Sequence, residues 1–320
     1  MKLRTLLLAA GAALTLMTGA ASAQSYPSQD IRFVCVFPAG SGADVYVRFF
    51  ADQIAKVSGH TVIVENKAGA AGLVGIQYVK QAKPDGYTVL VHGATGVVNL
   101  PALFKDPQVD PLTDIEVVAP ILRQPWMIIV PKDSPYQNMK QLTEAMLKKG
   151  DKSSYSDAAT SGTVMAELYK AATGVKSVEV NYKTAQDSWN DMISGRVEWG
   201  AHDPVASLAE ARKGTFRILA VSTPERVKSQ PDLPTMTEQG YPMDLTLWWE
   251  AMTPKGVPAP IKAQLRDWFE KVVKSPETAQ FVAQFGGDPL WEPIEESQKR
   301  YAKGVQQWKD YVKVAHIEPQ

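Results

Sequence analysis

Three times in its first hundred residues this chain breaks an apolar run with a cluster of small residues, and it does so again near its middle. The first instance constrains the fold most. Residues 31–37 (IRFVCVF) form an apolar run, bounded by Pro38, of a length that suits a strand buried on both faces. Pro38-Ala39-Gly40-Ser41-Gly42-Ala43-Asp44 follows, after which Val45, Phe49, Ile54 and Val57 recur at helical spacing. The unit reads as strand, glycine-rich loop and helix start. Glycines let backbone come close to a ligand, and the first turn of a helix points unpaired N–H groups outwards. The helix dipole favours an anion there, phosphate or carboxylate.

The alternation continues. Gly59 closes the first helix as a C′ glycine would. Residues 61–65 (TVIVE) read as a strand, 66–75 as a second glycine-rich loop, 73–83 as a helix and 84–86 (PDG) as a turn. Residues 87–92 (YTVLVH) read as a third strand and 93–96 (GATG) as a third small-residue loop. Strands alternating with helices predict parallel pairing through right-handed crossovers. Ligands of such sheets sit outside the carboxyl ends of the strands, where all three loops fall. From Trp126 the pattern restarts, with strands over 126–130, 154–158, 178–182, 197–200 and 216–221. Helices over 139–149, 164–173, 185–193 and 205–212 separate them, the second opened by Thr160-Ser161-Gly162-Thr163. An aromatic-rich strand over 245–252 and helices over 259–274, 276–285 and 294–314 complete the chain.

Composition narrows the function classes. Lys2 and Arg4, an apolar run over 6–17 and Ala21-Ser22-Ala23 have the form of a secretory signal peptide, with cleavage expected after Ala23. Residues 24–320 carry 32 basic against 34 acidic groups, a balance that argues against nucleic-acid binding. The single cysteine, Cys35, excludes an intramolecular disulfide, and an exported chain without one fits a bacterial periplasm. Cys35 lies within the first strand and reads as a small buried apolar residue.

The catalytic and cofactor motifs fail on spacing. Val45 stands where G-x-G-x-x-G needs its third glycine, no P-loop occurs, and Ala39 stands where a G-x-S-x-G elbow around Ser41 needs a glycine. His60, His92, His202 and His316 are scattered, with no metal-ligand spacing, so neither cofactor nor metal is expected. Trp126, Trp248 and Trp249 fall where the chain passes between its halves; core packing is one reading and stacking on a ligand the other.

Several short motifs occur in a fixed order from Tyr26 to the C-terminal helix. They are Tyr26-Pro27-Ser28 before Ile31-Arg32, Phe37-Pro38-Ala39-Gly40 with Gly42 and Asp44, and Val64-Glu65-Asn66 with Gly69 and Gly72. Pro84-Asp85-Gly86-Tyr87-Thr88, Tyr182-Lys183, Gly195-Arg196-Val197, Ala220-Val221-Ser222 and Leu233-Pro234-Thr235 with Glu238 and Gly240 continue them. Together they resemble the periplasmic solute-binding receptors of tripartite tricarboxylate transporters, the TctC or Bug family. The resemblance implies an α/β, two-domain Venus-flytrap fold of type II-like periplasmic binding proteins, each domain a mainly parallel sheet flanked by helices. It places domain 1 at 24–123 plus 248–320 and domain 2 at 124–247. It implies no enzyme activity, a monomer, a small carboxylate ligand and membrane permease subunits as partners. The ligand carboxylate would be gripped by Phe37, Ala39, Gly40, Ser41, Gly42, Ala43 and Asp44 from one side. Thr160, Ser161, Gly162 and Thr163 would close from the other, with Thr95, Lys183, His202, Asp203 and Trp248 setting specificity at the far end. That end could belong to a di- or tricarboxylate or, against a tryptophan face, to an aromatic carboxylate such as a benzene dicarboxylate. The family usually has Gly-Gly-Gly-Thr-Asp where this chain has Gly40-Ser41-Gly42-Ala43-Asp44, and a more glycine-rich turn at 158–161. Two alternatives are an exported hydrolase with Ser41 as nucleophile and His202-Asp203 as helpers, and a ligand-sensing partner of a sensor kinase.

Overall fold

The computed structural model describes residues 26–157, 159–182 and 185–320; the expected leader and Lys183 lie outside them. Two mixed sheets flanked by helices make an α/β, two-domain architecture of the periplasmic binding protein kind. The first sheet contains β1 (Ile31–Cys35), β2 (Val62–Asn66), β3 (Thr88–Gly93), β4 (Ile115–Gln124), β10 (Leu247–Pro254) and β11 (Asp288–Pro289), in the order β11-β4-β10-β3-β1-β2. The second contains β5 (Met127–Pro131), β6 (Ser154–Asp157), β7 (Val178–Asn181), β8 (Trp199–His202) and β9 (Phe216–Val221), in the order β7-β6-β8-β5-β9. β1 pairs in parallel with β2 and β3, and β6 with β7 and β8, as expected of strand–helix–strand units. The strands at the passages between sheets run the other way: β10 is antiparallel to β3 and β4, and β5 to β8 and β9. A strand entering from the opposite sheet arrives at the far end of its neighbours, so it lies down reversed.

The first helix, α1 (Gly42–Ser58), is capped by Ser41 and ended by Gly59 at φ 72. Its buried face carries Tyr46, Val47, Phe50 and Ile54, packed with Ile31, Phe33 and Cys35 of β1 and with α9 (Ala259–Val273). This face is rotated from the one predicted, because Val45 and Val57 are 40% exposed. The larger rings of Tyr46 and Phe50 win the interior, where each apolar side chain contributes roughly 1.5–3 kcal/mol. Cys35 is buried and free, as expected. The other face of the first sheet, with Val34, Val36 and Leu90, joins an apolar cluster that runs through Trp126 and α11 (Ile294–Val314) into Ile128, Tyr155 and Trp199 of the second sheet. Among the described residues no helix is long and apolar enough to cross a membrane.

The remaining helices are α2 (Leu73–Gln81), α3 (Thr95–Val98), α4 (Leu100–Leu103), α5 (Met139–Lys149), α6 (Thr160–Thr173), α7 (Ala185–Ile193), α8 (Pro204–Lys213) and α10 (Pro276–Gln284). The loop expected over 93–96 instead turns directly into α3.

Candidate ligand-binding site

The loop from β1 to α1 is held open from below. Phe37, Ala39, Gly40 and Gly42 are exposed, whereas Asp44 is only 2% exposed. The Asp44 carboxylate accepts from the Gly40 N–H at 2.8 Å, Arg48 Nε at 2.7 Å and Asn66 Nδ2 at 2.7 Å. Burial opposes its ionisation, but these donors outweigh burial and hold the carboxyl below its ordinary range. Asp44 therefore braces the loop with its charge already answered. Ser41 Oγ accepts from the Asp44 N–H at 3.2 Å, capping α1. Among the described residues no acceptor pairs with the N–H of Gly42 or Ala43. Gly40, at φ 80, is the position that requires glycine. Gly42 is not in that conformation, and a Cβ there would meet only Val205 at 3.7 Å, so a positive φ does not explain Gly42.

In the second sheet, α6 starts without a side-chain cap: its N-cap residue is Ala159, in extended conformation. The N–H groups of Gly162 and Thr163 bond the Ala159 carbonyl, at 2.7 and 3.2 Å. Those of Thr160 and Ser161, both half-buried, meet no acceptor among the described residues. Gly162 is needed for close approach, since a Cβ would fall 2.5 Å from the Ala201 carbonyl oxygen and 2.9 Å from Asp157 Cβ. Next to it α8 begins, with Asp203 Oδ1 accepting from the Ala206 N–H at 3.0 Å. Burial pushes the Asp203 carboxyl up despite those backbone donors. The start of α8 meets the start of α1, through Val205 and Gly42. The loop after β1 in the first sheet and the loop after β8 in the second thus come together at this point.

Three of the remaining expected residues, Thr95, Trp248 and His202, lie near these loops, as does His92, which was not among them. His92 is buried beneath the first sheet's loops, 5.3 Å from the Phe37 ring, and both its ring nitrogens are without partners among the described residues. Burial pushes its pKa down to about 4. Thr95 is the first residue of α3, close to Gly93, and the Ala94 N–H donates to the Trp248 carbonyl at 2.6 Å. The Trp248 ring is half-buried with Arg300 over it at 5.1 Å, so one of its faces is already covered. His202 is 1% exposed, its Nε2 3.1 Å from Ser156 Oγ, and burial pushes its pKa down to about 4.

The hydrogen bond that a Ser41 nucleophile needs from His202 does not form. Ser41 caps α1, His202 is turned to Ser156, and Asp203 caps α8. Sequence reasoning passed over Arg48 and Asn66, which brace Asp44, although Arg48 stands four residues after it, a spacing that brings helical neighbours together. It also passed over Asp157, the last residue of β6, whose two carboxylate oxygens are buried and, among the described residues, have only the Thr163 hydroxyl nearby to favour their charge.

A family profile described as "Tripartite tricarboxylate transporter family receptor" matches residues 46–316. A UPF0065 protein of Bordetella bronchiseptica is 31% identical over 319 residues, covering 99% of this chain and 94% of that protein. Among solved structures, the periplasmic binding protein BugD is similar at 30% identity and a TM-score of 0.77, covering 92% of this chain and 100% of that one. An R. palustris protein solved with adipate is similar at 25% identity and a TM-score of 0.81, with the same coverage. The chain belongs to the tripartite tricarboxylate transporter receptor family and is a periplasmic-type solute-binding receptor.

Proposed function

We propose that the protein captures a small carboxylate between its two sheets and closes on it for an uptake system of the tripartite tricarboxylate type. The observation that carries this reading is the pair of helix starts, α1 and α6, each with two N–H groups lacking an acceptor. Such groups, with the helix dipole behind them, attract an anion without a full countercharge. The relative solved with adipate supports a carboxylate. Arg300 leaves at most the other face of Trp248 for an aromatic acid. The expected residues Phe37 to Asp44 would grip from the first domain and Thr160 to Thr163 from the second, with hinge motion between 24–123 plus 248–320 and 124–247. Cleavage after Ala23 would release the receptor, and its closed form would dock on membrane permease subunits.

A thermal-shift series tests this. Residues 24–320 are heated with adipate, 6-aminohexanoate and a benzene dicarboxylate, each beside its methyl ester. A free acid at a hundred times its Kd adds about 2.7 kcal/mol, and its ester should add little. No shift with any acid, together with loss of an ester from solution, would overturn the reading in favour of a hydrolase.

A further inference from the structure

Building on the receptor reading, we infer that Asp157 makes the site polar end to end. The start of α1 holds the ligand's carboxylate, and the second domain takes a hydrogen-bond-donating end such as an ammonium, amide or hydroxyl. Asp157 is 0% exposed, and among the described residues neither of its carboxylate oxygens has a well-formed hydrogen bond; the Thr163 hydroxyl in the first turn of α6 is near enough to favour its ionised form. It stands against the uncapped first turn of α6, its Cβ 2.9 Å from where a Gly162 Cβ would lie. A buried carboxyl without a cationic or amide donor is costly, and a native fold seldom keeps one without use. Asp44 is the counterexample within the same chain: equally buried, it has three donors.

Among the described residues the Thr163 hydroxyl favours the charge of Asp157, but no cation answers it. Glu179 on β7 and Glu167 on α6 are both acidic neighbours. The nearby ammonium of Lys170 is 2.6 Å from Glu167, which also accepts from the Tyr155 hydroxyl. On β8, His202 is buried, turned to Ser156 and neutral at working pH. A second ligand carboxylate at α6 would stand near Glu179 and Glu167 and push the Asp157 carboxyl further towards its neutral form. A donor would supply the missing bond and, if cationic, hold Asp157 ionised, although burial and Glu179 push its carboxyl up to about 7.

Calorimetric titration with acids of equal length tests this: adipate, 6-aminohexanoate and adipamate. The native protein should bind a donor-ended acid at least about tenfold more tightly than adipate, as a charge-assisted hydrogen bond implies. Asp157→Asn should lose the preference for the ammonium, and Asp157→Ser should move the ranking towards adipate while still binding the acids. Adipate binding most tightly to the native protein, or a ranking unchanged in both variants, overturns the inference and leaves the receptor reading intact. Failure of every acid to bind overturns both.

Discussion

The two helix starts that follow β1 and β6 are built from the same syntax and finished differently. At α1, Ser41 caps the helix and Asp44 is neutralised beneath it by Arg48, Asn66 and the Gly40 N–H. At α6 the cap is Ala159, which has no side-chain acceptor, and the carboxylate beneath, Asp157, has the Thr163 hydroxyl nearby but no cationic or amide donor among the described residues. One carboxylate is answered from within the chain; on the proposed reading the other is answered by the ligand. On that reading the strand–loop–helix unit sets where a ligand sits, and the side chains buried under it set which end of the ligand goes where.

The largest expected difference between the halves is in pH dependence. Folded Asp157 keeps its proton up to about pH 7, while the unfolded chain releases it near pH 4. The folded state binds more protons across that window, so the associated stability is complete below about pH 4 and is lost as pH rises to 7. Asn does not titrate. The stability of Asp157→Asn relative to native should therefore climb between pH 4 and 7, by up to about 4 kcal/mol. His92 and His202, pushed down to about 4, act in the opposite sense, losing stability as pH falls from about 6.5, but they cancel between native and variant. Denaturant melts across that range should show the climb, and a flat difference contradicts it.

Next come the glycines. Gly162→Ala must displace the Ala201 carbonyl and should cost about 2–3 kcal/mol in a urea melt, whereas Gly42→Val has open space before Val205 and should cost under about 1 kcal/mol. Gly42→Val should nevertheless abolish acid binding, because its branches stand over the open N–H groups. Equal stability losses would break the contrast. Asp44→Ala leaves the Asn66 amide and the Gly40 N–H without their acceptor and should cost about 2 kcal/mol. The smallest effect is a mirrored pair: Ser41→Ala should lose about 1 kcal/mol, and Ala159→Ser should gain about as much by giving α6 a cap. Ala159→Ser should also weaken acid binding, since the new hydroxyl competes for the same N–H groups.

Local signals made most elements legible. Asn138 before Met139 and the lysines before Gly150 bound α5 to the residue, and Gly59, Gly174 and Gly214 end their helices in left-handed conformation. β4 was hidden by Pro120, which argues against a strand; it is accommodated because the register with β10 shifts at that point, between Trp249 and Glu250. The loops at the carboxyl ends of the strands were legible because small residues and helix starts are local features. The orientation of what lies beneath them was not. Asp44 and Asp157 are both acids beside a helix start in sequence, and only the tertiary placement of Arg48 and Asn66 near one of them separates their roles.

The most direct test of the account is to follow the backbone amide resonances of Gly42, Ala43, Thr160 and Ser161 while titrating the labelled receptor with 6-aminohexanoate. The account predicts saturable shifts at all four, with Gly42 and Ala43 retained and Thr160 and Ser161 altered in Asp157→Asn. Saturable binding that leaves Gly42 and Ala43 unmoved would contradict it.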